Sequence, residues 1–372
     1  MKKLLLEDRT TVQQLERVLA VPFRPKRTVP TLSNLQLDHP DVRNTVTIFS
    51  LPFEIYHLIF EAIGDGEDDV IDIVCLGYTN RFFSSVVYNY LAGIWGTEFG
   101  NWAGQQIVLA SNDTPVGDYP EGLFSPEEEE MLRNKKCKVW VVEGYEYRER
   151  TKPAALYNFR YTGYLQESRL KEFKARVYPY LLFERTLQSD PGLTIPQGKD
   201  FFPANEKWIL RNLTTKEIVR PEAIAIDPER ISGPFMPRLG FGEIVIMRTC
   251  WSETDRSEII VNSRGVWAGH RFDITTLARH EQETRGERWG DVSDEVALEL
   301  ETIYNGKYGE NWRKIIHKRT DYFRHEEIDP FSAWVSHFYW NPIHDPRNTM
   351  TASMRKFRID LHNNNDHSFV SM

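Results

Sequence analysis

Residues 48 to 91 carry more apolar surface than a unit of that size can bury, and this surplus limits what the chain can fold into. Ser50 is placed to cap a helix whose first turn accepts Pro52, where a missing N–H costs nothing. Ile55, Leu58, Ile59, Ala62 and Ile63 then fall at the i, i+3, i+4, i+7, i+8 spacing of one helical face. A second short helix is predicted from the acidic run Glu67-Asp68-Asp69, carrying Val70, Ile71, Ile73, Val74 and Leu76, with Gly77 as its break. Thr79 is the expected cap of a third, with Phe82, Phe83, Val86, Val87, Tyr90 and Leu91 on its inner side. So short a segment cannot stand alone without a metal, a disulfide or a partner. Some of these apolar positions are therefore expected to meet something else.

The opening Leu51-Pro52-x-Glu54-Ile55, the pair Leu58-Ile59, and Leu76 followed by Thr79-x-Arg81-x-Phe83 resemble the F-box. That family docks substrate receptors onto the Skp-type adaptor of Skp–cullin–F-box ubiquitin ligases. The acidic stretch Gly64-Asp65-Gly66-Glu67-Asp68-Asp69 is longer than the family's usual connection, and Asn80 stands where the family most often has Cys. The resemblance implies that Leu51, Pro52, Ile55, Leu58, Ile59, Leu76 and Phe83 lie at or behind an adaptor interface. The same resemblance implies a non-enzymatic receptor needing no cofactor or metal. Its partners would be the adaptor, a cullin reached through it, and a protein target, with catalysis supplied by proximity in other subunits.

The chain-wide totals fit a folded protein with room for one further large domain: 372 residues, 41% hydrophobic and 13% aromatic. A net charge of −8 argues against nucleic acid as the main partner, since phosphate binding needs a basic face. Cys75, Cys137 and Cys250 are odd in number and far apart, which favours a reducing compartment over a disulfide framework. The apolar run Leu4-Leu5-Leu6 is too short for a signal peptide, and no stretch approaches a membrane span. The expectation is a cytoplasmic or nuclear protein that does not engage membranes.

Three regions are predicted. Residues 1–45 hold a helix with Val12, Leu15 and Leu19 on one face, then an extended linker marked by Pro22, Pro25, Pro30 and Pro40. Residues 46–92 form the F-box-like helical module. Residues 93–372 form an α+β domain with an antiparallel sheet and flanking helices. Within that domain Ser125-Pro126-Glu127-Glu128 opens a helix, with an N-cap, a proline at the first position and acids at the positive end of the dipole. Strands are predicted over 137–143 and 207–213. Residues 243–251 and 258–261 read as a hairpin joined by the polar turn 252–257. Ser293-Asp294-Glu295 opens a helix with Val296, Leu300, Ile303 and Tyr304 on one face, ended near Gly309 and followed by another over 313–320. The last dozen residues read as a frayed tail. No repeat of 20 to 50 residues occurs, so the target-selecting part is not a leucine-rich, WD or kelch array.

Chemistry-bearing residues are densest in Arg264-Gly265-Val266-Trp267-Ala268-Gly269-His270-Arg271-Phe272-Asp273, with His280-Glu281 beyond. His270 and Asp273 can be cast as base and orienter with Cys250 as a distant nucleophile. The alternative is a glycine-punctuated turn whose His270 and Asp273 bond to backbone, with Cys250 an inert thiol beside Trp251. No histidine or cysteine pair has metal-ligand spacing. Gly233-Pro234 and Gly240-Phe241-Gly242 lack the lysine and the spacing of phosphate loops. Trp208, Trp251, Trp267 and Trp289 can line a recognition pocket or fill a core. Ser232 to Arg238 and Trp334 to Trp340 are the expected surface anchors. The phrases Trp208-Ile209-Leu210-Arg211-Asn212-Leu213-Thr214 and Trp267-Ala268-Gly269-His270-Arg271-Phe272-Asp273-Ile274 resemble those of fungal F-box proteins.

The leading expectation is thus a target-recognition subunit of a ubiquitin ligase. Two others stand beside it: an adaptor-bound protein acting outside ubiquitination, and an enzyme whose α+β domain converges His270, Asp273 and His280 in one pocket.

Overall fold

Apolar alternation and capping residues place the elements, and the computed structural model of the chain describes them over residues 3–6, 12–24, 48, 51–63, 69–79, 81–110, 114–143, 146–162, 166–167, 196, 198–236, 239–252 and 264–319. In chain order these are β1 (Lys3–Leu6), α1 (Val12–Leu19), α2 (Phe53–Ile63), α3 (Asp69–Thr79), α4 (Arg81–Glu98), β2 (Gln106–Ala110) and α5 (Pro126–Arg133). The hairpin strands β3 (Lys136–Glu143) and β4 (Glu146–Pro153) follow, then β5 (Gln166–Glu167), α6 (Gly198–Phe201), β6 (Trp208–Asn212), β7 (Glu217–Val219) and α7 (Pro221–Ile224). The chain continues with α8 (Phe241–Thr249), β8 (Cys250–Trp251), β9 (Phe272–Thr276), α9 (Leu277–Glu283), β10 (Gly290–Asp291), α10 (Ser293–Tyr308) and α11 (Trp312–Arg319). The fold class is α+β, with antiparallel and mixed sheets.

Two compact units divide the chain. The first comprises Met1–Lys26, Ala92–Val177 and Pro196–Tyr322; the second comprises Arg27–Leu91, Tyr178–Ile195 and Phe323–Met372.

In the first unit one sheet has the order β10-β7-β6-β9, with β6 antiparallel to both neighbours and β10 parallel to β7. Another has the order β5-β1-β2-β8, paired in parallel throughout. β6 and β9 are buried at every position, so neither shows the alternation of a one-sided sheet. The N-terminal segment belongs to this unit: α1 packs on α8 and β9 through Leu15, Val18 and Leu19, and the Val21 amide donates to the Ile274 carbonyl at 2.8 Å. Phe99, Phe201, Phe202 and Trp208 form a run of ring contacts with centroids 5.0–5.8 Å apart, the aromatic backbone of this core.

Several expectations hold. The opening of α5 is a capping box: Ser125 Oγ accepts from the Glu128 amide at 3.2 Å, and the Ser125 amide donates to Glu128 Oε2 at 2.8 Å. The α10 helix buries Val296, Leu300, Ile303 and Tyr304 and ends at Gly309, whose φ of 73° is open to glycine at no steric cost.

The expected hairpin over 243–251 and 258–261 is corrected. Residues 241–249 form the helix α8, and only Cys250–Trp251 is extended; residues 253–263 lie outside the described residues. Ile244, Val245, Ile246 and Met247 are all buried, and a helix covered on every side is apolar all round. Such a run does not reveal its period. Nor does Gly77 break α3. It lies buried within the helix, and Thr79 Oγ1 bonds back to the Leu76 carbonyl at 2.7 Å instead of capping α4. The described part of 232–238, residues 232–236, is not a row of surface anchors: Gly233, Pro234 and Met236 are buried and Phe235 is half-buried, while Pro237 and Arg238 lie outside the described residues. Ser50, residues 64–68, Asn80, most of the proline linker, residues 334–340 and the terminal tail lie outside the described residues.

Candidate functional site

In the second unit, α2 divides its apolar residues between two faces. Tyr56 and Phe60, one turn apart, are 2% and 0% exposed. The Tyr56 ring meets Phe82 and Phe83 edge-on at 5.6 and 6.2 Å, and its hydroxyl donates to the Ile48 carbonyl. Phe60 meets Tyr90 at 4.9 Å. With Ile73, Val86, Val87 and Leu91 these rings make the described core of the three helices. Ile55 and Leu58 face the other way, 37% and 59% exposed, and Pro52 and Ala62 are exposed beside them. At 100° per residue Ile55, Leu58, Ile59 and Ala62 fall within one stripe about 100° wide.

Of the predicted docking residues, then, Pro52, Ile55 and Leu58 are exposed, and Leu51, Ile59 and Leu76 are half-buried. Phe83 differs. It is 6% exposed and belongs to the core, because α4 directs Phe82, Phe83, Val86 and Val87 inward together.

The residues singled out for chemistry sit in the first unit, on β6, β9 and the turn before β9. Register decides their partners. Arg211 and Asp273 are directly opposed across the β6–β9 ladder, and the pair is bidentate: Nε donates to Oδ1 at 2.8 Å and Nη2 to Oδ2 at 2.7 Å. The side chains are 6% and 9% exposed. Glu283, on α9, accepts from the same Nη2 at 2.9 Å, and Trp289 faces the guanidinium at 5.8 Å.

His270 has a separate partner. Asn212 Oδ1 accepts from the Thr214 and Thr215 amides, which turns its Nδ2 toward Glu217 and toward His270 Nδ1 at 2.9 Å. Nδ1 is then the acceptor and the ring proton resides on Nε2. Burial holds this imidazole below its ordinary pKa, against the opposing pull of Glu217. Glu217 also accepts from Trp267 Nε1 at 2.9 Å and from Thr215 Oγ1 at 2.6 Å.

The base-and-orienter pairing of His270 with Asp273 is therefore not formed, since Asp273 is engaged with Arg211 and His270 with Asn212. The alternative that both bond to backbone is corrected as well: their side chains bond to side chains. Cys250 is a buried thiol at the end of α8. His280 is buried edge-on against Trp289 at 4.9 Å, and its pKa is lowered by burial first and by Arg211 second. Trp208 and Trp267 are core rings, while Trp251 and Trp289 are half-buried and covered by Arg264 and Arg211.

Sequence reasoning missed Arg248, on α8. It is 3% exposed, donates to Glu295 and Glu299 at 2.6 and 2.8 Å, and stacks on Trp267 at 4.6 Å. A lone arginine in an otherwise apolar run was the available signal, because a buried cation requires partners. Among the described residues no group of three or more His, Cys, Asp or Glu can hold a metal ion, and no helix is long and apolar enough to cross a membrane. No protein-family model, curated protein or solved structure matches the chain.

Proposed function

We propose that the protein is a target-recognition subunit of a Skp–cullin–F-box type ubiquitin ligase. In this reading the three helices α2–α4 engage a Skp-type adaptor, and the α+β unit selects a protein target. One observation carries it: α2 fills its core with Tyr56 and Phe60 while leaving Ile55 and Leu58 exposed on one stripe, beside Pro52. That stripe falls on the positions at which the sequence resembles the family. Removing exposed aliphatic area from water by adaptor binding is favourable at roughly 25 cal/mol per Å² before association costs.

Co-expression with a Skp-type adaptor followed by affinity purification tests the reading. The expected result is a stoichiometric complex that also captures a cullin. The double variant Ile55→Asp/Leu58→Asp should weaken it by about tenfold or more, each residue acting as an interface anchor. The exposed Val266→Asp, in the other unit, should leave it intact. Undiminished adaptor binding by the double variant would sink the docking face. Adaptor capture without cullin would instead favour a role outside ubiquitination.

A further inference from the structure

The α8 helix begins with an N-cap that cannot cap. Gly240 occupies that position and has no side-chain oxygen to offer the amides of the first turn. Glu16 of α1, 226 residues away in sequence, supplies one: its Oε1 accepts from the Gly242 amide at 3.1 Å. A Cβ on Gly240 would overlap that Glu16 oxygen, so a larger residue here displaces the Glu16 carboxyl. Glu243, at the third helical position, completes the arrangement by accepting from the Gly240 amide through Oε2 at 2.7 Å. The capping box of α8 is thus assembled from two distant segments and holds two carboxyl groups at one helix end.

Glu16 is 3% exposed and Glu243 is half-buried. Among the described residues, these charged and titratable groups face them. From α1 there is Arg17, 2% exposed, with its guanidinium 5.4 Å from the Phe235 ring; from α10 there is Tyr304, 8% exposed. The other neighbouring charges are committed elsewhere, Arg248 of α8 to Glu295 and Glu299 and Asp273 of β9 to Arg211. Among the described residues one guanidinium faces two carboxyls, and it cannot balance both charges.

We propose that α1 is a proton-held latch: Glu16 and Glu243 hold at least one proton between them at the first turn of α8, and its loss loosens the N-terminal segment from the α+β unit. Burial, then repulsion from Glu243, raises the Glu16 pKa well above the ordinary carboxylate range, and burial raises that of Glu243 to about 7. A folded-state pKa raised above the unfolded value means that folding takes up a proton. The stabilisation is complete below the unfolded value and falls as pH rises, and the share from Glu243 is gone once pH passes its folded value of about 7.

Amide hydrogen exchange on the full chain, corrected for intrinsic rates, reads the latch. Protection of the α1 amides and of the Gly242 amide is expected to fall by at least about tenfold per pH unit between about pH 5 and pH 7, the slope of one linked proton or more. Glu16→Gln/Glu243→Gln keeps both acceptor oxygens and removes both titrating groups, so its protection should stay high and flat over that range. Flat protection in the wild type, or an equal fall in the double variant, overturns the proposal. Should the double variant fail to fold, the infrared carboxylic-acid band of ¹³C-glutamate-labelled wild type decides. A glutamate still protonated at about pH 6 is expected, and complete ionisation below about pH 5.5 overturns the latch.

Discussion

The two units handle awkward side chains in opposite ways. In the second unit the described core is rings and aliphatics, Tyr56, Phe60, Phe82, Phe83, Val86 and Leu91, while apolar Ile55 and Leu58 are left in solvent. In the first unit the awkward groups are charges, and they are inside: Glu16, Arg17, Arg211, Arg248 and Asp273 are each 6% exposed or less. An exposed aliphatic stripe costs little and fixes no arrangement of its neighbours. A buried charge is tolerable only when its geometry is met in full, so it fixes one arrangement of strands and helices. The contrast points to an α+β unit specified by its buried charges and a helical segment specified by its rings alone, with its outer face left to solvent.

Asp273→Ala is the strongest way to break the first half of that contrast. It strips Arg211 of its bidentate partner in the β6–β9 ladder and leaves Glu283 as its acidic partner among the described residues, with a side chain 41% exposed. A cost of about 3–5 kcal/mol in urea unfolding is expected, the penalty for stranding one member of a buried pair. A loss under about 1 kcal/mol would mean that the pair does not specify the sheet. The second half rests on α2. Phe60→Ala should destabilise by about 3–4 kcal/mol, because a fully buried ring leaves a cavity. Leu58→Ala, two residues away, should stay within about 0.5 kcal/mol in the isolated chain. Equal costs at the two positions would show that the stripe is already covered.

What could be read in advance follows the same division. The helices α1, α2, α5 and α10 were legible because each has a period, a cap or both, as in Ser125-Pro126 and in Val296, Leu300, Ile303 and Tyr304. The α8 helix was not: Ile244, Val245 and Ile246 carry β propensity, and burial on all sides erased the period that would have marked a helix. The inward choice of Tyr56 and Phe60 over Ile55 and Leu58 was hidden too, since all four are apolar and the two stripes are adjacent. The polar network was invisible for another reason. Arg211 opposes Asp273, and Glu16 reaches Gly242, only once strand register and helix docking are known. Residue types suggested a base and an orienter, whereas register assigned each of them a different partner.

A smaller loss than those at Asp273 and Phe60 tests whether the first unit's local signals carry weight beside its long-range ones. Ser125 lies in an exposed loop and its capping box is entirely local, with both bonds closing within three residues. Ser125→Ala removes the acceptor for the Glu128 amide and should cost about 1 kcal/mol, while Ser125→Gly should cost less than alanine relative to serine, a few tenths. The helix it opens buries Leu132, which packs with Phe124 and Phe159, so fraying of the first turn need not expose that cluster. A loss from Ser125→Ala near that of Asp273→Ala would show that the hydrophobic cluster depends on the cap, and that the unit is held by local punctuation as firmly as by its buried charges. A loss of about 1 kcal/mol leaves the buried pairs as the determinants of the fold, with the caps setting only where helices begin.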